Sequence, residues 1–253
     1  MNAFKKIIYE RIIPLIGYIF GYKNKYINVI YYHDIVRDEG YSFMKTNIDV
    51  FQKQMRYIAA KGYQTVRFDD IKCEQDFIYD PKKIIIAFDD GWLSNYTEIY
   101  DFMSHLGLRY NIFLSTGKID NDPQYLTWDI IRKMHNSGLV GFGAHTYTHP
   151  DMTDISRINP DLEFNHADAV FKRELGFYPV DFCYPFGKYS EESNEYIINN
   201  QMYSRIYTSR MMYTYKQKGK YIFGRSGISN DDSMVAFKAK LKGHFNIWGI
   251  LVR

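Results

Sequence analysis

Two adjacent carboxylates, Asp89 and Asp90, follow the apolar run Ile84-Ile-Ile-Ala-Phe88 and lead into Gly91-Trp92. Neighbouring carboxylates in a poorly solvated place repel one another, so a cation or a shared proton must compensate. A turn lets the two side chains diverge, so that one can bind a metal while the other stays free. The same residues could equally cap a helix at a surface turn. A second cluster is His145-Thr-Tyr-Thr-His149, ahead of Pro150. In an extended chain its histidines would stand about 13 Å apart, too far to share an ion. In one helical turn, positions i and i+4 meet on one side, and Pro150 is compatible with such a turn. Two imidazoles and a carboxylate leave an open position on a divalent metal, the arrangement of a hydrolytic site. A third cluster, Phe182-Cys-Tyr-Pro-Phe-Gly187, offers the Phe186 N–H to an oxyanion, with Cys183 read as inert packing.

Chemistry of this kind needs a scaffold that delivers all three clusters to one edge. Strands are expected over Ile27–Tyr32, Thr65–Phe68, Ile84–Phe88, Tyr110–Leu114, Leu139–Ala144, Val180–Tyr184 and Arg205–Thr208. Helices are expected over Val50–Ala60, Trp92–Leu106, Thr127–Asn136, Asp161–Leu175 and Ser190–Asn200. Asp49 and Ser190 are the expected N-caps, and Gly62, Gly107, Gly138 and Gly176 the C-terminal stops. The alternation describes one parallel α/β domain, barrel-like or doubly wound, whose chemistry belongs at the carboxyl ends of the strands. No Gly-x-Ser-x-Gly elbow or Walker loop is present, and Gly141-Phe-Gly143 does not complete a dinucleotide fingerprint.

Composition sets the remaining bounds. Of 253 residues, 46% are hydrophobic and 24% charged, which excludes a disordered chain, and a net charge of +3 argues against nucleic acid as a partner. Two cysteines exclude a disulfide scaffold. Aromatic residues reach 18%, with core packing as their default role. At the N-terminus Glu10, Arg11 and Pro14 interrupt the apolar run, so positions 1–26 read as an amphipathic helical segment rather than a signal peptide. Positions 237–253 mix basic and apolar residues, leaving 27–236 as the barrel domain. Both ends are expected to cap the body or to touch a membrane surface. The chain is accordingly expected in the cytoplasm or peripherally at the cytoplasmic membrane.

Phe88-Asp-Asp-Gly91, His145-x3-His149 and Tyr184-Pro-Phe-Gly187, in that order, resemble the polysaccharide deacetylase family, carbohydrate esterase family 4 with the NodB homology domain. Tyr32-His-Asp-Ile35, Asn111-Ile-Phe-Leu114 and Leu126-Thr-Trp128 extend the resemblance over roughly residues 27 to 230. It implies a distorted (β/α)7 barrel and metal-dependent N-deacetylation of amino sugars, polymeric or lipid-linked. Asp89 then resembles the catalytic base, and Asp90, His145 and His149 resemble ligands of Zn2+, with Ni2+, Co2+ or Mn2+ as alternatives. The late Leu-x-His acid of many members is missing, since His244 is off by one residue. His33 resembles the early histidine of the poly-N-acetylglucosamine deacetylase branch and is the expected general acid. Cys183 stands where many members carry an arginine, and Arg225 could replace that charge or lie on the surface. Trp92, Trp128, Tyr184 and Phe186 are expected to face the sugar. A deacylase or deformylase of a lipid-linked sugar, and a non-catalytic glycan-binding barrel, are the competing readings.

Overall fold

The computed structural model describes residues 8–19, 24–37, 44–201 and 203–251. A π-helical turn Ile8–Ile12 runs into α1 (Ile13–Ile19), followed by β1 (Asn28–Tyr32), β2 (Asp34–Val36), β3 (Lys45–Asn47) and α2 (Ile48–Ala60). Next come β4 (Gln64–Thr65), β5 (Lys83–Phe88), α3 (Ser94–Thr97), α4 (Tyr100–His105), β6 (Tyr110–Leu114), α5 (Trp128–Asn136) and β7 (Val140–Ala144). The last part holds α6 (Ala167–Leu175), β8 (Asp181–Cys183), α7 (Glu191–Asn200), β9 (Arg205–Tyr207), β10 (Tyr215–Gln217), β11 (Lys220–Phe223), β12 (Ser226–Gly227), α8 (Met234–Leu241) and α9 (Trp248–Leu251).

Parallel pairing runs β1–β5–β6–β7–β8–β9–β11, and β12 pairs with the far side of β1. Because β11 continues into β12 through Gly224 and Arg225, one strand changes neighbours from β9 to β1 and carries the ring around. The result is a curled parallel barrel of the expected (β/α)7 kind, distorted at this seam. Gly224 is required there, since a Cβ would lie 2.0 Å from the Met212 carbonyl oxygen. Residues 84–88 of β5 are fully buried, as a strand covered on both faces must be. Helix α2 turns Phe51, Met55 and Ile58 inward at helical spacing against that sheet.

Several local expectations are corrected. The cap of α2 is Asn47, whose Oδ1 accepts the Asp49 N–H at 2.8 Å, so the helix starts two residues before Val50. The expected helix Trp92–Leu106 is broken into α3 and α4, and Trp92 bridges to Tyr125 instead of entering it. The strand expected at Thr65–Phe68 ends at Thr65, because Phe68 opens a 3-10 turn whose N–H is held by buried Asn111. Ser190 caps α7 as expected, and Gly62, Gly107, Gly138 and Gly176 all adopt positive φ beyond their helices. The two ends pack on one another: Ile8, Tyr9, Ile13 and Ile16 lie against Ala236, Ala239, Phe245 and Ile247.

Candidate active site

Asp89 follows β5 directly, and its N–H is held by the Tyr32 carbonyl of neighbouring β1. Its carboxylate meets Arg225 in a fork, both oxygens receiving a guanidinium N–H at 2.7 Å. Arg225 is only 1% exposed, so it is no surface residue. It stacks on the Tyr31 ring with its guanidinium carbon 4.1 Å from the centroid, and also donates to the Thr208 carbonyl. Burial pushes the Asp89 carboxyl up, and the guanidinium outweighs burial, leaving it below the usual carboxylate value. The arginine thus comes from the barrel seam, while Cys183 Sγ sits 3.0 Å from Nη2.

Asp90 takes a left-handed φ of 75°, which turns its side chain away from that of Asp89. Its Oδ1 lies 3.4 Å from His145 Nε2 and 3.2 Å from His149 Nε2. The histidines are gathered by positive φ at Thr146 and His149, not by the helical turn expected from their spacing. Glu163, a residue that spacing alone does not flag, holds this loop. Its carboxylate accepts the N–H groups of Tyr147 and Thr148 and the Thr148 hydroxyl at 2.6–3.0 Å. Its signal, a buried acid that receives the N–H groups of a loop, is visible only in three dimensions.

The set fits a divalent cation. Asp90 Oδ1 and His145 Nε2 are buried atoms without hydrogen-bond partners among the described residues, and they face one another. His145 Nδ1 lies 2.8 Å from the Cys183 carbonyl, an acceptor only, so Nδ1 carries a hydrogen and Nε2 is the nitrogen turned toward Asp90. Burial lowers His145, but Cys183 and Asp90 outweigh it and hold the imidazole well above its ordinary value, so a cation at Nε2 would displace a proton. Burial lowers His149, which favours the neutral, ligating form. The two imidazoles outweigh burial at Asp90 and hold it well below the usual carboxylate range. The remaining Asp90 oxygen accepts from Trp92 Nε1 at 3.0 Å. A second group, Asp89, His145 and Cys183, is equally close but fits poorly. Arg225 occupies both its carboxylate and the neighbourhood of its sulfur, and would repel a cation.

His33 directly follows β1, with Nε2 at 3.8 Å from Asp89 Oδ2, and Asn95 holds its carbonyl. Burial lowers its pKa despite the nearby carboxylates. A cavity of about 460 Å3 opens over His33, Asp89, His145, His149 and Phe186. Phe186 adopts φ 56°, and its ring lies edge-on to His149 at 4.5 Å, more than half exposed.

The other aromatic candidates are not brought to this cavity. Tyr184 is fully buried, donates its hydroxyl to Asn194 and its N–H to the Tyr207 carbonyl, and stacks on Tyr189. Trp128 is buried in the core at the start of α5. Trp92 stacks on Tyr125 and serves Asp90 rather than the cavity wall. His244 packs on Tyr18, away from the carboxylates. Tyr9 and Lys240, neither expected near the chemistry, line the cavity rim. The Lys240 charge is already matched by both Asp232 oxygens and the Gly227 carbonyl.

Known proteins share the fold that carries this site. The family model for polysaccharide deacetylase matches residues 78–204. The Bacillus subtilis protein YxkH, named for this family, is 24% identical over 216 residues, 85% of this chain and 75% of its own length. The peptidoglycan-N-acetylglucosamine deacetylase of Bacillus cereus is 23% identical over 65% of this chain and 57% of its own. Among solved structures, IcaB from Ammonifex degensii superposes with a TM-score of 0.69 at 21% identity, over 87% of this chain and 98% of that one. BC0361, a polysaccharide deacetylase from Bacillus cereus, gives 0.69 at 20% identity over 85% and 69%. These structures share the fold, and with a family model spanning half its length, the chain belongs to the polysaccharide deacetylase family.

Proposed function

We propose that this protein is a metal-dependent hydrolase that removes acetyl groups from N-acetylated amino sugars of a cell-envelope glycan or its precursor. The observation that carries this reading is that Asp89, held by the Arg225 fork, lines one cavity with His33, His145 and His149, the two latter gathered around Asp90. A cavity of about 460 Å3 falls within the usual range of small-molecule sites. Asp90, His145 and His149 would hold the cation, and their two nitrogens and one oxygen suit Zn2+. When bound, such an ion supplies Lewis-acid polarisation of the acetamide carbonyl and lowers the pKa of water.

The chain's own residues account for the protons. Asp89 accepts one from the water that adds to the carbonyl carbon, and Arg225 keeps that carboxylate ionised and oriented. The Phe186 N–H donates to the carbonyl oxygen as charge develops on it. Burial lowers His33 and favours its neutral form, so it must first take up a proton, and Asp89 Oδ2, which receives the water's proton, lies 3.8 Å away. His33 then passes the proton to the amine nitrogen as the C–N bond breaks, releasing acetate and a free amino sugar. The test pairs metal analysis with acetate release from monomeric, polymeric and lipid-linked N-acetylated sugars. Stoichiometric metal and acetate from one of them supports the reading. A metal-loaded protein that releases acetate from none of them overturns it.

A further inference from the structure

The helix that opens the described chain is apolar on both faces. Its inner side, Ile13 and Gly17 with Ile8, Tyr9 and Ile16, docks on the segment around α8 and α9. At Gly17 the approach is so close that a Cβ would lie 2.1 Å from the His244 carbonyl oxygen. A helix docked this way on a protein in water should turn polar residues outward. This one turns out Ile12, Leu15, Tyr18 and Ile19, which are 42, 54, 71 and 63% exposed. Spaced three to four residues apart, Leu15, Tyr18 and Ile19 form one stripe with Arg11 and Ile12.

Charge identifies what covers that stripe. Segments 1–26 and 237–253 hold nine basic residues and one acidic, whereas 27–236 hold 23 basic and 28 acidic. Arg11, from the first of these segments, is exposed beside the stripe, and the helix that carries the stripe packs on the second segment. Lys238 and Lys242 are exposed there, and Lys242 is two residues from His244, whose ring meets Tyr18 at 5.9 Å. An apolar helix face flanked by cations matches an anionic lipid surface, with acyl chains for the stripe and headgroups for the lysines. A second copy of the chain would bring like charge against like. No helix among the described residues is long and apolar enough to cross a membrane, so the contact is interfacial. We infer that this helix face docks the protein on an anionic bilayer. Tyr9, on the same helix, lines the catalytic cavity and donates to Asp232, so docking would hold the cleft beside the lipid surface.

The test uses the purified full chain with phosphatidylcholine vesicles, with and without about 30% phosphatidylglycerol. Co-sedimentation with the anionic vesicles, weakened by raising salt from about 0.1 to 0.5 M, is expected. Leu15→Glu should reduce partitioning at least about tenfold, the worth of one large apolar side chain. Tyr18→Ser, at the most exposed position of the stripe, gives a second variant, and circular dichroism checks that both are folded. Light scattering tests the rival occupant. The inference fails if the protein stays in solution with anionic vesicles, or if both variants sediment like the parent. A stable dimer that Leu15→Glu dissociates would equally overturn it, assigning the face to a second copy.

Discussion

Replacing Arg225 by methionine keeps much of its bulk but removes the charge and the fork. Asp89, 3% exposed, would then be a buried carboxylate without its counter-ion. Removing one partner of a buried pair costs about 3–5 kcal/mol, a fall in Tm of roughly 6–20 °C for a chain of this size. Burial would also push the Asp89 carboxyl up, since the arginine is what offsets it. The acid limb of kcat/KM for acetate release should therefore move to higher pH. At its plateau kcat should fall about a hundredfold or more through lost orientation of the base. Bound metal should be unchanged, because Arg225 touches Asp89, Thr208, Cys183 and Tyr31 but none of Asp90, His145 and His149. Adding Asp89→Asn to the variant should recover most of the stability while leaving activity lost. Thermal unfolding, elemental analysis and a pH–rate profile read the three effects separately. Loss of metal in Arg225→Met, or an unmoved Tm with an unmoved acid limb, would refute the assignment of Arg225 as the partner that charges and orients Asp89.

Three further outcomes are expected. His149→Ala should lose stoichiometric metal and reduce acetate release by at least about a thousandfold, and the rise in Tm on adding metal should disappear. Glu163→Gln should weaken metal affinity about 10–100-fold at nearly unchanged fold, because an amide replaces the charged acceptor of the Tyr147 and Thr148 N–H groups; equilibrium dialysis measures this. Burial pushes the Asp168 carboxyl from 3.8 up to about 7, partly countered by the Tyr203 hydroxyl that donates to it. Between those values the native state holds a proton that the unfolded chain has lost, so this group's stability contribution falls as pH rises and levels off above about 7, by at most about 4 kcal/mol. Asp168→Asn should remove that loss, with a Tm advantage that grows from pH 5 to pH 8 in thermal melts.

The residues that could do chemistry were legible as types and spacings. Asp89-Asp90, His145-x3-His149 and the Phe186 turn each follow an apolar run, and parallel strands place their carboxyl ends at one edge whatever the details between them. The strand pattern was legible for the same reason, because β5 and its neighbours are buried on both faces and read as continuous apolar runs. The short β10 and β12 carry no such run, and α3 starts only at Ser94 because Trp92 is drawn to Asp90 and Tyr125. Aromatic residues near a motif do not reveal which way they point: Tyr184 turned into the core and Phe186 onto His149, two residues apart. Local periodicity and short spacing therefore determined a parallel α/β class and the Asp89, Asp90, His145 and His149 clusters, while the seven-fold barrel and His33 entered through the family resemblance. Tertiary structure alone decided that Arg225, 136 residues beyond Asp89, is its counter-ion and that Glu163 holds the histidine loop. Those contacts join distant segments, and whether a buried charge is matched depends on which of them the closing barrel brings within hydrogen-bond reach.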